Sequence, residues 1–296
     1  MIDFLRYRFA TALISLAIIG SSIGLYCYKI YSRGYAFSYS VDFTGGTQVL
    51  FKFEAPMSGS HLSEILESRG WPGTVTREFS PTEVLVRVKE FVSDTKGLAG
   101  RMQHAVMEAV PDNRVEILQT EAVGAGVGQE LRTKAFKAIV YSLIAILIYI
   151  GLVFWSFAFA VGAVVSLAHD AIVMLAVFLV LDRDISINVI GAMLAVLGYS
   201  INDTIVIYAQ IRKHLRAMKN VPLDVIVNQS INQTLRRTIL TSLATTLAVV
   251  SILVLGGPAL RDMALTLMVG IVFGTYSSIY IASPVMMLLY KDDKKA

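Results

Sequence analysis

The chain has 296 residues, 55% of them hydrophobic and 16% charged, with a mean hydropathy of +0.63; an average soluble domain carries about 25% charged residues, which argues against an ordinary soluble enzyme. The net charge is +4, but the basic residues follow topology rather than forming a patch, so no nucleic-acid partner is implied. One cysteine, Cys27, and four scattered histidines, His61, His104, His169 and His214, offer no disulfide and no metal-ligand spacing, and no G-x-x-x-x-G-K-S/T loop occurs. No catalytic residue, cofactor or metal is therefore expected.

Six apolar runs are long enough to cross a bilayer, which takes about 20 residues. The first, 9–28, is too long for a signal-peptide core and no A-x-A-like cleavage site follows it, so residues 1–30 read as a retained membrane anchor. Residues 31–132 form the one polar segment. Thr47 to Phe53 alternates as a strand, Ser58 to Glu67 is an amphipathic helix, and Val75 to Phe79 with Glu83 to Lys89 is a hairpin around Ser80-Pro81-Thr82. Asp94 to Val110 is a second amphipathic helix, with His61 and His104 on exposed faces, and Asn113 to Gln119 is a closing strand. The β-α-β-β-α-β order predicts a ferredoxin-like α+β domain between the first and second spans of a six-helix membrane protein. Residues 31–130 hold nine basic and thirteen acidic residues, so this outer head is acidic and the rest of the chain carries the positive charge.

The other five runs, 136–156, 160–181, 187–208, 239–256 and 264–289, fall within 133–290, with a basic loop expected near 210–237 and a tail at 291–296. Arg6, Arg8, Arg212, Lys213, Arg216, Lys219, Arg236, Arg237, Lys291, Lys294 and Lys295 flank one side of the spans. The positive-inside rule then places both termini in the cytoplasm. Asp182-Arg183-Asp184 and Leu260-Arg261-Asp262 fall in short outer loops and read as solvated.

Charged groups inside spans cost about 2.5–3.5 kcal/mol on insertion scales, so they mark function by default. The third span contains His169-Asp170 and the fourth Asn202-Asp203-Thr204, roughly 13 and 9 Å from the inner boundary at 1.5 Å per residue. Arg237 at the start of the fifth span is the natural ion-pair partner of Asp203, and Thr241, one turn deeper, offers a hydroxyl to bridge them. A carboxylate that exchanges an arginine for a proton is a relay, because pairing favours its charged form and burial its neutral one. The alternative readings are that Arg236 and Arg237 are only topological anchors and that Asp170 only fixes helix packing. Gly191, Ala195 and Gly198, and Gly270, Gly274 and Ser278, are small residues at helix-contact spacing.

These residues together resemble the SecF branch of the SecD/SecF protein-export family, in the resistance-nodulation-division superfamily. Asp42-Phe43-Thr44-Gly45-Gly46-Thr47 resembles the family's D-F-x-G-G motif leading into the outer domain, and Val123-Gly124 through Gly128-Gln129-Glu130-Leu131 its motif leading out. Ala168-His169-Asp170, Gly198-Tyr199-Ser200-Ile201-Asn202-Asp203-Thr204, Arg237-Thr238 with Thr241-Ser242, and Gly256-Gly257-Pro258 follow in the same order. Tyr208-Ala209-Gln210-Ile211-Arg212 departs from the family, which often has an aspartate and an arginine before I-R, and Ser40-Val41 departs before Asp42.

The resemblance implies a bacterial inner-membrane protein working with a SecD-type six-span partner, the SecYEG channel, a translocating preprotein and membrane lipid. It puts the relay acid on Asp203 and the relay arginine on Arg237. The function it implies is auxiliary: proton flow moves outer domains that hold or pull the emerging chain. Two other functions compete, a small-molecule or lipid exporter of the same superfamily and a passive scaffold of the channel. One six-span half with an insert of about 100 residues is small for a domain enclosing its own ligand cavity, which disfavours the exporter.

Overall fold

A computed structural model of the chain describes residues 2–91, 95–218 and 220–290. Two compact units emerge, Tyr39–Phe136 and a helical unit made of Met1–Ser38 with Lys137–Ala296. The elements in chain order are α1 (Arg8–Arg33), α2 (Val41–Thr44), β1 (Gly46–Phe53), α3 (Gly59–Ser68), β2 (Val75–Ser80), β3 (Glu83–Val88), α4 (Thr95–Ala109), β4 (Val115–Val123), α5 (Ala125–Phe154), α6 (Phe157–Leu181), α7 (Ile187–Ala217), α8 (Leu223–Leu255) and α9 (Gly257–Ser277). A π turn, Ser278–Ala282, joins α9 to α10 (Ser283–Leu289). Asp94, expected to open the second amphipathic helix, lies outside the described residues, as do Lys219 and the 291–296 tail.

In Tyr39–Phe136 the four strands form one antiparallel sheet in the order β2-β3-β1-β4. Its register pairs Phe51 with Val84 and Phe53 with Val115, so the alternate residues Val49, Phe51, Phe53, Val84, Val86 and Val88 share one face. Leu62, Ile65 and Leu66 of α3 and Leu98, Met102 and Val106 of α4 close over that face as a continuous core. Full burial of each such side chain contributes about 1.5–3 kcal/mol. Ser58 caps α3 by accepting from His61 N–H at 3.3 Å. β4 runs on to Val123, pairing it with Gly46, which is further than the alternation at Asn113 to Gln119 indicates.

The two flanking motifs meet inside this unit. Gly45 and Gly46 have φ of 74° and 106°, a region closed to most side chains, and a Cβ on Gly46 would strike the Val88 carbonyl. A Cβ on Gly128 would lie 3.0 Å from the Phe43 carbonyl carbon and from Gly45 N, so the start of α5 lies directly on the α2 backbone. Asp42 accepts from Ser40 Oγ at 2.9 Å, Phe43 is buried, and a Cβ on Gly124 would come within 3.9 Å of the Phe91 ring. Glu130 instead pairs with Lys134 one turn on, at 2.7 Å, both exposed. Glu121 is held above the usual carboxylate range, chiefly by burial and then by nearby Asp42, against hydrogen bonds from the Gln119 and Gln48 amides.

Among the described residues six helical segments are long and apolar enough to span a bilayer. α6 is the most enclosed, and α1, α5 and α8 leave most of their apolar surface uncovered. α8 begins at Leu223, well before 239, and α7 continues to Ala217, so the basic loop expected over 210–237 is in fact two helix ends and a link over 218–222. Hydropathy misleads there because the polar residues have partners. Asn228 and Asn232 accept from the backbone N–H groups of Phe4 and Ile2 at 2.9 and 2.8 Å, while Val227 and Ile231 are buried with Ile211.

The links that follow α6 and α8 also differ from expectation. Asp182 accepts from Lys29 Nζ and Arg33 Nη1, both at 2.8 Å, and Lys29 also donates to Leu179 O at 2.7 Å. The Lys29 bond, followed by the Arg33 bond, holds Asp182 below the ordinary carboxylate range. Arg183 donates to Asp262 at 3.2 Å, so these charges are paired rather than simply solvated.

Candidate functional site

The third, fourth and last spans pack closely because small residues remove the side chains that would hold them apart. A Cβ on Gly270 would strike Val196, and one on Gly274 would lie 2.9 Å from Ser200 Cβ. Gly191 and Gly198 face open space instead, so the helix-contact role expected of them does not hold. The close approach brings three helices to one carboxylate. Asp170 of α6 is completely buried, and its Oδ2 accepts from Ser200 Oγ of α7 at 2.7 Å and from Ser277 Oγ of α9 at 2.8 Å. Ser166, one turn back, donates to Ser277 Oγ at 3.0 Å. A buried acceptor without such donors would forfeit about 1–3 kcal/mol.

His169 Nδ1 lies 3.3 Å from Asp170 Oδ1. The imidazole is 4% exposed, rests near the Phe273 and Tyr276 rings, and its Nε2 has no hydrogen-bond partner among the described residues. Tyr276 carries the contact on to α1, donating to Thr11 O at 2.8 Å with Ser15 Oγ 3.0 Å away.

Asp203 sits on α7 three residues beyond Ser200, about 4.5 Å along the axis. It is 3% exposed. Among the described residues it makes no hydrogen bond and no direct ion pair; the Arg237 guanidinium of α8 acts on it through its field alone. The direct Asp203–Arg237 pair expected from the sequence is therefore not formed in this conformation. The Thr241 bridge is absent too, because its hydroxyl donates back to the Arg237 and Thr238 carbonyls at 3.0 Å, a common use of threonine in a helix. Asn202 faces outward. Thr238, 1% exposed, has a hydroxyl without a partner among the described residues.

Sequence reading did not link Ser166, Ser200 and Ser277 to Asp170, nor did it single out Thr238. Ser277 lies three residues past Gly274 on the same side of α9, a spacing that could have disclosed it. Between α7 and α8, Gln210 donates to Gln233 Oε1 at 2.6 Å and His214 lies 2.8 Å from Ser230 Oγ, giving a hydrogen-bonded seam at the Ala217 end of α7. Tyr208, fully buried, donates to Ala282 O at 2.9 Å and serves a carbonyl of the π turn. Gly162 leaves room for that phenol, since a Cβ there would strike the Tyr208 hydroxyl.

The chain is similar to known proteins in sequence and in fold. Residues 102–292 match the family described as protein export membrane protein SecD/SecF, C-terminal, and residues 36–57 match the SecD/SecF GG motif. The protein translocase subunit SecF of Magnetococcus marinus is 39% identical over 97% of this chain and 91% of its own length. That of Vibrio alginolyticus is 37% identical over 97% and 90%. The SecDF subunit of Thermus thermophilus is 36% identical over 90% of this chain but only 36% of its own length. A crystal structure of Thermus thermophilus SecDF, described as a translocon-associated membrane protein, superposes with a TM-score of 0.85 at 33% identity, covering 97% of this chain and 38% of that one. The chain belongs to the SecD/SecF family of protein-export membrane proteins, as a member of its SecF branch.

Proposed function

We propose that this protein is an auxiliary subunit of the Sec translocase, working beside a SecD-type partner and the SecYEG channel and using the proton gradient to promote preprotein export across the inner membrane. Both termini lie in the cytoplasm, and Tyr39–Phe136 is a ferredoxin-like head on the outer side. The relatives' names as translocase subunits support the first part, and a relative in which SecD and SecF are one chain supports the partner.

The observation that carries the proton reading is Asp203: a carboxylate enclosed by α7 and its neighbours, without a direct partner, and under the field of Arg237. In this reading Asp203 takes a proton from the outer side, which cancels its attraction to Arg237. Loss of the proton to the inner side restores that attraction and draws α7 and α8 together. Asn202, Thr241, His169 and Asp170 flank the path. One charge crossing 100 mV releases about 2.3 kcal/mol, enough to shift a two-state motion by tens of fold. The Asp42–Gly46 and Gly124–Glu130 motifs, with Phe43, Gly45 and Gly128, join the head to the spans.

Preprotein export into inverted membrane vesicles tests this. Asp203→Asn should remove the stimulation by proton-motive force while membrane insertion and partner binding persist. Undiminished stimulation in that variant would leave the passive scaffold as the better reading.

A further inference from the structure

The turn between α5 and α6 carries features that the proton relay does not use. Trp155 stands in it with φ of 51°, a left-handed conformation that bulky residues avoid, and its side chain is 86% exposed. No packing inside the protein accounts for a tryptophan held there. Phe157, two residues on, is 75% exposed. Exposed aromatic residues at the end of a span occupy the headgroup level of a bilayer, where an apolar ring with a polar edge suits both neighbours.

A row of cations lies against the same turn. Arg212 of α7 donates from Nη1 to Val153 O at 2.8 Å, and its guanidinium stacks over the Phe154 ring at 4.9 Å. Lys213 and Arg216 follow on the same side of α7. With Ala209 and Ala217 these three cations line an open recess of about 360 Å³. No carboxylate lines it, and none of the three forms an ion pair among the described residues. Two small alanines leave the space between the cations free. Topology alone requires positive charge near a span end, but it does not require three unpaired cations on one helix stripe beside an outward-held tryptophan.

We propose that Arg212, Lys213 and Arg216 form a binding site for the phosphate headgroup of an anionic phospholipid, with Trp155 and Phe157 packed beside its glycerol and upper acyl region. Charge complementarity selects the occupant: a lone phosphodiester meets three cations and, among the described residues, no competing acid, and Lys and Arg clustered at a span end attract such headgroups. Arg212 supplies the link, since its bond to Val153 O fixes the cationic row against the aromatic turn. The site would make the α5–α7 contact responsive to the lipid composition of the membrane.

The test uses the full-length protein in phosphatidylcholine vesicles containing brominated phosphatidylglycerol or, separately, brominated phosphatidylcholine. Of its two tryptophans, the contribution of Trp155 is the fluorescence quenching lost in Trp155→Phe. Brominated phosphatidylglycerol should quench Trp155 at a mole fraction at least about tenfold lower than brominated phosphatidylcholine, and Lys213→Gln or Arg216→Gln should each reduce that preference about fivefold. Arg236→Gln, which removes the same charge from α8, should leave it unchanged. Equal quenching by the two lipids overturns the site. An equal loss in Arg236→Gln would assign the preference to diffuse surface charge, and relief of quenching by inorganic phosphate at constant ionic strength would assign the recess to free phosphate; either result also overturns it.

Discussion

Asp170 and Asp203 are both buried carboxylates on neighbouring spans, yet they live in opposite conditions. Asp170 receives two serine hydroxyls and the edge of an imidazole; Asp203, one turn beyond Ser200 on α7, has no direct partner among the described residues and feels the Arg237 guanidinium through its field. A satisfied buried polar group fixes the structure around it, whereas an unsatisfied one is held at a cost and is free to change partners. On this comparison Asp170 is the knot that ties α6, α7 and α9 together, and Asp203 is the group to which the proposed function gives the proton.

The sharpest way to break the comparison is export. Asp203→Asn should lower proton-stimulated translocation at least about tenfold, yet leave thermal unfolding in detergent within about 0.5 kcal/mol because no hydrogen bond is lost. Asp170→Ala should do the reverse, destabilising the helical unit by about 3–5 kcal/mol by stranding Ser200 and Ser277; an unchanged unfolding midpoint would remove its structural role. Gly274→Val, which drives a side chain against Ser200, should cost about 1–3 kcal/mol through overpacking, and a disturbed Asp170 knot should then appear as faster hydrogen exchange in α7 and α9.

Glu121 extends the comparison to the Tyr39–Phe136 unit as a half-buried acid held by two amides. Its folded-state proton affinity is raised, so the folded state binds more protons than the unfolded one, and stability falls as pH climbs through the window above the ordinary glutamate range. Glu121→Gln should therefore slow exchange of the β1 and β4 amides at neutral pH, by up to about 0.5 kcal/mol, and have no effect below about pH 4, where the unfolded-state group is also protonated. A benefit that persists in acid would assign the effect to packing.

Much of this was legible in the residues. Hydropathy located every span, and alternation located the strands of the head, because lipid and sheet both impose a simple repeat on side chains. The failures share one cause. The start of α8 read as a loop because Asn228, Asn232 and Gln233 are polar, and their partners on the N-terminal residues and α7 are invisible to a one-dimensional reading. Asp203 and Arg237 could be placed on adjoining spans by depth, but whether they touch depends on a few ångströms of helix displacement. Ser277 escaped notice because a lone serine in an apolar helix is ordinary until Asp170 is found opposite it.

The π turn at Ser278–Ala282 has a mechanical consequence for the last span. One additional residue in a helical turn advances everything beyond it by about 100°, so the two halves of that span present different meridians to the bundle. The half before the π turn turns Ser277 toward Asp170, and the half after it turns Met286 into the cluster around Phe159 and Tyr208. A single continuous α-helix could not address both with the same sequence. Removing one residue between 278 and 282 would therefore act as a twist, swinging Met286 out of its cluster while leaving Ser277 in place, and would uncouple the two ends of the span without cutting it.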